Sequence, residues 1–352
     1  MNKVLMAALL LVLSATLVMA QSHTLVVLCH EDHMVYELDM TTGKVLHMFE
    51  APNQPHEAAV SPDGKTVYAA IPQDAFVEIL DGVTFKEKGR IETELFKRPP
   101  QVRAARGGAT GAAAGPPNTS ASPHGMSLNN DGGKLYIGIE NAEIPGVIVY
   151  DTKTGKVLHK IDTVLEGGHY LQVQPVTDKL YYPKRTDNRV VVIDTKTDRI
   201  TKIIPVQGGP VGVGFAPNGD VWIHGDGDGK LQGVVTVIDS RKDEVKKVIQ
   251  TSGLGAGRMA VSPDGKWAAS THGTTEDVAI FDAAKMEVVA TVKIGKGPGF
   301  PVFSPDSSKL YTMNYGENNV TVIDLAKMAV TAAYPVGKGP FGGSIRFPNG
   351  KP

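Results

Sequence analysis

The chain has 352 residues, and its 36 Lys and Arg residues nearly balance its 37 Asp and Glu residues, for a formal net charge of -1. This balance argues against a nucleic-acid-binding protein, which needs a basic surface. Hydrophobic residues make up 41% of the chain and charged residues 21%, which is typical of a globular protein and excludes a disordered or membrane-embedded one. The single cysteine, Cys29, excludes an intrachain disulfide, so the fold depends on its own apolar core.

The first 20 residues predict a secretory signal peptide. Lys3 precedes a nearly continuous apolar run from Val4 to Met19, and Ala20 follows as a small residue of the kind that a signal peptidase recognises. The run of about 16 residues is shorter than the ~20 that span a bilayer, which disfavours an anchor helix. We therefore expect a periplasmic or secreted protein with no membrane span after cleavage, and one mature domain over residues 21–352.

Short apolar strands that end in Asp recur seven times along the chain. The seven aspartates are Asp39, Asp81, Asp151, Asp194, Asp239, Asp282 and Asp324. The intervals between them are 42, 70, 43, 45, 43 and 42 residues. A strand-rich period in the forties is typical of propeller blades, and the one long interval predicts an inserted loop at about residues 92–122.

Each unit has the same internal order of four strands, with a polar turn after the first. The turn recurs as Ser61-Pro62-Asp63-Gly64 and Ser262-Pro263-Asp264-Gly265, in which Pro presets φ and Gly accepts a positive φ. The first unit begins at Thr24 and lacks strand one, whereas residues 341–347 match that strand. The sequence therefore predicts an all-β, seven-bladed β-propeller of four-stranded blades, in which the C-terminal strand completes the N-terminal blade and closes the ring.

The units resemble the YVTN-repeat β-propeller family. The similarity is carried by segments such as Tyr311-Thr312-Met313-Asn314 and Val320-Thr321-Val322-Ile323-Asp324, and it covers residues 24–350. The resemblance implies the architecture, but the family and its relatives have many functions. They include surface-layer modules, periplasmic binding proteins, lactonases and cofactor-bearing oxidoreductase domains, such as those of nitrous-oxide reductase and amine dehydrogenase.

Histidines recur at one position of the repeat, the start of strand one. The residues at this position, in chain order, are His56, His124, His169, Pro210, Gly257, Gly299 and Gly342. Strand one is innermost in a propeller blade, so its start lies at one mouth of the central channel. Strand two is antiparallel to it and ends on the same face. The further residues that we expect on this face are His30, Lys184, Arg185, His224, Arg258, His272, Asn314 and Tyr315.

These side chains make the channel mouth a candidate ligand site. Neutral imidazole binds transition metals, so His56, His124 and His169 are candidate metal ligands. The alternative is that these histidines only bond backbone carbonyls near the channel. Lys184, Arg185 and Arg258 would suit the carboxylate or phosphate of a ligand, or they are solvated surface charges.

The insertion at 92–122 ends just before His124 and is rich in Pro, Gly and Ala. Loops of this length are either functional lids or disordered segments, and both interpretations stay open.

Three functions fit the sequence. The leading hypothesis is an exported binding protein that takes a small molecule or a protein ligand at the histidine-rich channel mouth. The second is a metal- or cofactor-dependent enzyme, oxidoreductase-like or lactonase-like, with its site on the same face. The third is an interaction scaffold that recruits a partner through its blade edges or the inserted loop.

Overall fold

A computed structural model of the protein describes residues 23–96, 121–140, 146–165, 167–225, 232–255 and 257–350. The predicted signal peptide and residues 97–120 of the predicted insertion lie outside these ranges. The described residues form 28 β-strands and no helix. Accordingly, they contain no helix with the length and apolar character needed to cross a membrane.

The strands occupy four concentric positions in seven antiparallel sheets. The innermost strands are β4 (Ala58–Val60), β8 (Ser122–Leu128), β12 (Gln172–Val173), β16 (Pro210–Phe215), β20 (Met259–Val261), β24 (Pro298–Phe303) and β28 (Pro340–Arg346). The second strands are β1 (Thr24–Cys29), β5 (Thr66–Ile71), β9 (Lys134–Glu140), β13 (Lys179–Lys184), β17 (Asp220–Gly225), β21 (Trp267–His272) and β25 (Lys309–Asn314). The third strands are β2 (Met34–Asp39), β6 (Phe76–Asp81), β10 (Gly146–Asp151), β14 (Arg189–Asp194), β18 (Gln232–Asp239), β22 (Asp277–Asp282) and β26 (Asn319–Asp324). The outermost strands are β3 (Val45–Glu50), β7 (Glu87–Ile91), β11 (Lys156–Asp162), β15 (Arg199–Pro205), β19 (Glu244–Leu254), β23 (Glu287–Lys293) and β27 (Ala329–Pro335).

The ring closes between the two ends of the chain. Six blades consist of consecutive strands, whereas the first blade has the order β28-β1-β2-β3. Strand β28 pairs antiparallel with β1, from Thr24 opposite Arg346 to Cys29 opposite Pro340. This arrangement confirms the predicted seven-bladed propeller and its closure by the C-terminal strand.

A buried carboxylate links all four strands of the closing blade. Glu37 Oε1 on β2 accepts a hydrogen bond from Thr24 Oγ1 at 2.6 Å and one from Arg346 Nε at 2.5 Å. Its Oε2 lies 2.7 Å from His47 Nδ1 on β3. Glu37 is fully buried and Arg346 is 3% exposed, so this charged pair is part of the closure.

The repeated aspartates shape the turns after the third strands. Asp39 Oδ1, for example, accepts hydrogen bonds from the backbone amides of Thr41 at 2.9 Å and Thr42 at 2.8 Å. Asp81 makes the same bonds to Val83 and Thr84, which hold the pKa of its carboxyl below the usual range. These aspartates are therefore turn formers rather than candidate catalytic groups.

The apolar core lies between neighbouring blades. Second strands such as β1 are buried along their whole length, because both faces of each inner sheet pack against another blade. Trp222 of the fifth blade, for example, meets Phe281 of the sixth edge-to-face, with ring centroids 5.7 Å apart. Outermost strands such as β3 are largely exposed. This packing places the starts of all seven inner strands around one channel mouth.

Candidate ligand site at the channel mouth

Four histidines form a continuous row at this mouth. The ring centroids are 4.7 Å apart between His30 and His56, 4.2 Å between His56 and His124, and 4.5 Å between His124 and His169. The row runs from the end of β1 across the starts of the inner strands of the next three blades. We call these residues the histidine row.

A backbone irregularity points His124 into the row. The pairing of β8 with β9 shifts between Pro123 and Met126, so that His124 and Gly125 face one residue of the partner strand. Bulges of this kind redirect a side chain and are common beside functional sites. A side chain on Gly125 would meet the backbone nitrogen of Leu171 at 2.7 Å, so this position requires glycine.

Two carboxylates flank the central ring of the row. Glu57 Oε1 lies 3.2 Å from His124 Nδ1 and 3.8 Å from His56 Nδ1. Glu140 Oε2 lies 3.2 Å from His124 Nε2. Two groups of ligand atoms result, each within 4.8 Å of one another: His56 with Glu57 and His124, and His124 with Glu140 and His169. Imidazole nitrogen with carboxylate oxygen is a donor set that suits Zn²⁺ and Cu²⁺.

Sequence reasoning noted Glu57 only as the neighbour of His56 and missed Glu140. Glu140 ends β9, a second strand, so it occupies the position that led to the prediction of Lys184 and Asn314 on this face. The repeat therefore carried a signal for it. The pairing of both carboxylates with one histidine carried none, because it arises from packing between blades.

His56 and His169, which each belong to only one of the two ligand groups, are held in the neutral form. Burial lowers the pKa of His56 well below its ordinary value, and the nearby His124, His30 and Arg258 lower it further. Burial likewise lowers the pKa of His169, followed by the charges of Arg258 and His124. Neutral imidazole is the form that binds a metal ion.

The pKa of His124 is shifted in the opposite direction. Burial acts to lower its pKa, but Glu140 and Glu57 outweigh that effect and raise it above the ordinary value. The ring is 3% exposed, so its attraction to the two carboxylates is weakly screened by water. An acidic environment of this kind attracts any cation, whether a proton or a metal ion.

Several buried polar atoms at the mouth have no hydrogen-bond partner among the described residues. They are His56 Nδ1, His124 Nδ1, His169 Nδ1, Glu57 Oε2 and Arg258 Nε. Glu57 is within ion-pair distance of His124, but the two groups are not aligned for a hydrogen bond. Unpaired buried polar atoms are costly, and their concentration here favours a ligand-binding role for the mouth.

Arg258 lies next to the histidine row, where it contacts Glu57 and three aromatic rings. Its Nη2 lies 3.4 Å from Glu57 Oε1, although the two residues are 201 positions apart in the chain. Its guanidinium carbon lies 4.9 Å from the ring centre of Phe300, 5.3 Å from that of Phe341 and 5.8 Å from that of Tyr170. These contacts fix the orientation of a cation that is only 4% exposed.

A cavity of about 150 Å³ opens between the row and this arginine. Its lining residues are His56, His169, Arg185, Val211, Gly257, Arg258, Pro298, Gly299 and Phe341. In the fifth blade Pro210 occupies the position that holds histidine in other blades, but the residue that lines the cavity is Val211. The reason is that the pairing of β16 with β17 shifts after Pro210.

Glycine replaces histidine at the corresponding position of three other blades because the backbones approach closely there. A side chain at Gly257 would collide with the backbone oxygen of Thr271, and one at Gly299 with that of Phe341. At Gly342 it would collide with the backbone oxygen of His56. The channel mouth therefore has histidines on the side of the second, third and fourth blades and glycines on the side of the sixth, seventh and first blades.

Two of the residues expected on the channel-mouth face, Lys184 and Asn314, are fully buried. Lys184 is fully buried, its Nζ donates to Thr163 Oγ1 at 2.8 Å, and burial lowers its pKa to about 7. Its Nζ also lies 4.0 Å from the ring centre of Tyr182. Asn314 is fully buried, and its Nδ2 donates to Asn319 Oδ1 at 2.7 Å. Of the predicted cations, Arg185 is exposed and lines the cavity.

Tyr315 reaches the end of the row. Its ring centroid lies 5.8 Å from that of His30, in an edge-on arrangement.

The other two predicted histidines form a separate pair. The ring centroids of His224 and His272 are 5.3 Å apart. His272 Nδ1 lies 2.9 Å from Asp277 Oδ1 and its Nε2 lies 3.1 Å from Thr251 Oγ1. His224 is fully buried, and burial, followed by the charge of His272, lowers its pKa to about 3. Both side chains are fully buried, and neither is among the described residues that line the cavity.

Comparison with known proteins shows the fold. No protein-family model matches the sequence, and neither does any curated protein. Among solved structures, a functionally unknown protein from Desulfotomaculum acetoxidans DSM 771 has a TM-score of 0.73 at 13% identity, over 93% of this chain and 100% of that one. A putative 6-phosphogluconolactonase from Bacteroides fragilis NCTC 9343 has a TM-score of 0.71 at 14% identity, over 93% and 99%. The chain is a seven-bladed β-propeller.

Other solved structures similar to this propeller have different functions. Dihydro-heme d1 dehydrogenase NirN in complex with DHE has a TM-score of 0.61 at 16% identity, over 93% of this chain and 75% of that one. Propellers of this fold thus include cofactor-binding, enzyme-like and lactonase-like proteins. At such low identity the similarity extends to the fold alone, and the function of this propeller has to be argued from its own residues.

Proposed function

We propose that the protein is an exported binding protein of the YVTN-repeat type, which takes a divalent transition-metal ion such as Zn²⁺ or Cu²⁺ at the channel mouth. The observation that carries the proposal is His124, a buried imidazole flanked on its two nitrogens by Glu57 and Glu140 and in ring contact with His56 and His169. Export rests on the predicted signal peptide.

The set His124, Glu140 and His169 is the better of the two ligand groups. Glu57 already faces the guanidinium of Arg258, and a metal ion there would compete with that charge. Glu140 has 47% of its side chain exposed, which gives an ion a route from solvent to the buried nitrogen of His124. His169 Nδ1 has no hydrogen-bond partner among the described residues and is neutral.

The spacing of this set requires only small adjustments. Its ligand atoms lie within 4.8 Å of one another. In a tetrahedral site with bonds of about 2.0–2.1 Å, they would lie about 3.3 Å apart. Side-chain rotation supplies the difference, since inner-strand backbones are held by the ring. Three protein ligands leave a fourth position open for water or a small ligand.

Metal analysis of untagged protein tests the proposal. After treatment with a chelator and addition of Zn²⁺, we expect one tightly bound equivalent per chain. His124→Ala and His169→Ala should each lose it, whereas His159→Ala should keep it, because His159 is an exposed residue of the outermost strand β11. Failure of the wild-type protein to retain stoichiometric metal would contradict the proposal.

An enzyme that uses the same face is the second candidate. The cavity next to His169 favours it, since a substrate there would lie beside the open metal position. Turnover of a lactone or redox substrate by the metal-loaded protein, lost in His124→Ala, would favour the enzyme over the binding protein.

A further inference from the structure

We propose that the cavity beside the histidine row is an oxyanion subsite, which binds one small carboxylate or phosphate-type anion between Arg258 and Arg185. This inference extends the proposed binding function to a second ligand. It does not require the metal ion, so it can be tested in the metal-free protein.

The charge of the cavity wall favours an anion. Arg258 and Arg185 contribute cations to the described lining, and no carboxylate lies among the described lining residues. The two histidines of the wall, His56 and His169, carry no negative charge in either protonation state, so they do not repel an anion. Glu57 neutralises part of the charge of Arg258 but does not line the cavity.

Arg258 has donors available for such an anion. Its Nε is buried without a hydrogen-bond partner among the described residues, and its contact with Glu57 is long at 3.4 Å. A guanidinium offers five N–H donors in a planar fork that matches carboxylate and phosphate oxygens. Phe300 and Phe341 hold this fork in place, so binding an anion costs little side-chain entropy.

The size of the cavity sets the class of ligand. Its volume of about 150 Å³ is well above the ~10–15 Å³ that one water molecule needs. It is below the ~300–1,000 Å³ typical of sites for drug-sized molecules. An anion with one or two oxyanion groups, such as phosphate or oxalate, fits this range.

The anion and metal sites share a residue. His169 both lines the cavity and belongs to the preferred metal-ligand set. An anion in the cavity therefore lies beside the open metal position, where opposite charges attract. If both sites form, each ligand should raise the affinity for the other by the same factor, on the order of 5- to 150-fold.

Calorimetric titration of the metal-free protein tests the subsite. Inorganic phosphate and oxalate are titrated separately, in a chelator-treated sample at constant ionic strength set with sodium chloride. We expect one equivalent of at least one anion to bind, and the stronger of the two identifies a tetrahedral or a planar ligand. Arg185→Gln should weaken this binding by about 10-fold or more, as expected for loss of a charge-assisted hydrogen bond.

Matched variants separate the subsite from general charge effects. Arg199→Gln removes an exposed arginine from the outermost strand β15 and should leave anion affinity unchanged. Arg258→Lys keeps the charge but loses the planar fork, so it should weaken binding while the thermal melt shows a folded protein. Absence of binding of both anions to the wild type, or equal affinities of Arg185→Gln and Arg199→Gln, would overturn the subsite.

The metal and anion proposals can fail independently. Anion binding without stoichiometric metal would contradict the metal proposal and support the subsite. Metal binding without anion binding would overturn the subsite and leave the metal proposal supported.

Discussion

Arg258 and Glu57 form an ion pair across the channel mouth, with Nη2 and Oε1 3.4 Å apart. One residue precedes the inner strand of the sixth blade and the other precedes that of the second, so the pair links distant parts of the ring. Both side chains are almost fully buried, at 5% and 1% exposure. The pair connects the histidine row, through Glu57, to the cavity, through Arg258.

Removing one partner of this pair should cost more than removing both. Arg258→Met leaves the buried Glu57 carboxylate without its guanidinium partner, and breaking a buried pair in this way costs about 3–5 kcal/mol. Glu57→Gln combined with Arg258→Met leaves no uncompensated charge at this pair, so the double variant should be more stable than Arg258→Met alone. Urea unfolding of the two single variants and the double variant measures this. A double variant whose loss equals the sum of the single losses would show that the charges do not interact.

Closure of the ring should depend on strand β28. Deletion of residues 339–352 removes every backbone bond from β28 to β1, and we expect the cooperative thermal unfolding transition to be lost. A truncated chain that melts like the full chain would contradict closure by this strand.

A point variant tests the same closure without truncation. Arg346→Met leaves the buried Glu37 without its cation, and we expect a loss of about 3 kcal/mol in the free energy of unfolding. Arg199→Met, on an exposed outer strand, is the matched control and should change stability by less than about 0.5 kcal/mol. Equal effects of the two variants would argue against the buried pair as part of the closure.

Acid should destabilise the protein in part through His224. Its folded-state pKa of about 3 lies below the unfolded value of 6.5, so between these pH values the unfolded chain binds more protons. Stability from this residue is therefore present above about pH 6.5 and is lost as the pH falls toward 3. By pH 5 the loss is about 2 kcal/mol.

The variant His224→Phe tests this contribution, because phenylalanine cannot be protonated. The free energy of unfolding of the variant should fall less steeply than that of the wild type between pH 7 and pH 5. Between pH 7 and pH 8 the difference between the two proteins should stay constant, which serves as the internal control. Parallel curves down to pH 5 would show that His224 does not titrate on unfolding.

The architecture was predictable because several independent features of the repeated sequence indicate it. The interval between the strand-ending aspartates, the Ser-Pro-Asp-Gly turns and the orphan strand at residues 341–347 all indicate a closed ring of seven blades. The proximity of His56, His124 and His169 also follows from the repeat, since they share one position in consecutive blades.

Contacts across the ring were not predictable in the same way. The meeting of Arg258 with Glu57, 201 residues away, depends on which side chains project into the channel, and no local pattern encodes that. The burial of Lys184 was not predictable from the sequence either, since it depends on contacts with Thr163, which precedes its blade, and with Tyr182 of its own strand. The split of the six histidines into a row and a separate pair likewise depends on packing.

Cobalt binding to chelator-treated protein tests the metal site most directly, since a Co²⁺ ion bound by imidazole and carboxylate in a four-coordinate site gives intense visible absorption. We expect one equivalent of Co²⁺ to bind to the wild type and Glu140→Gln to weaken binding by at least about 10-fold, because the variant removes a charged ligand. Glu87→Gln is the matched control, since Glu87 and Glu140 both have 47% of their side chains exposed, and it should bind like the wild type. No visible Co²⁺ spectrum in the wild type, or the same affinity in Glu140→Gln and Glu87→Gln, would contradict a metal site formed by His124, Glu140 and His169.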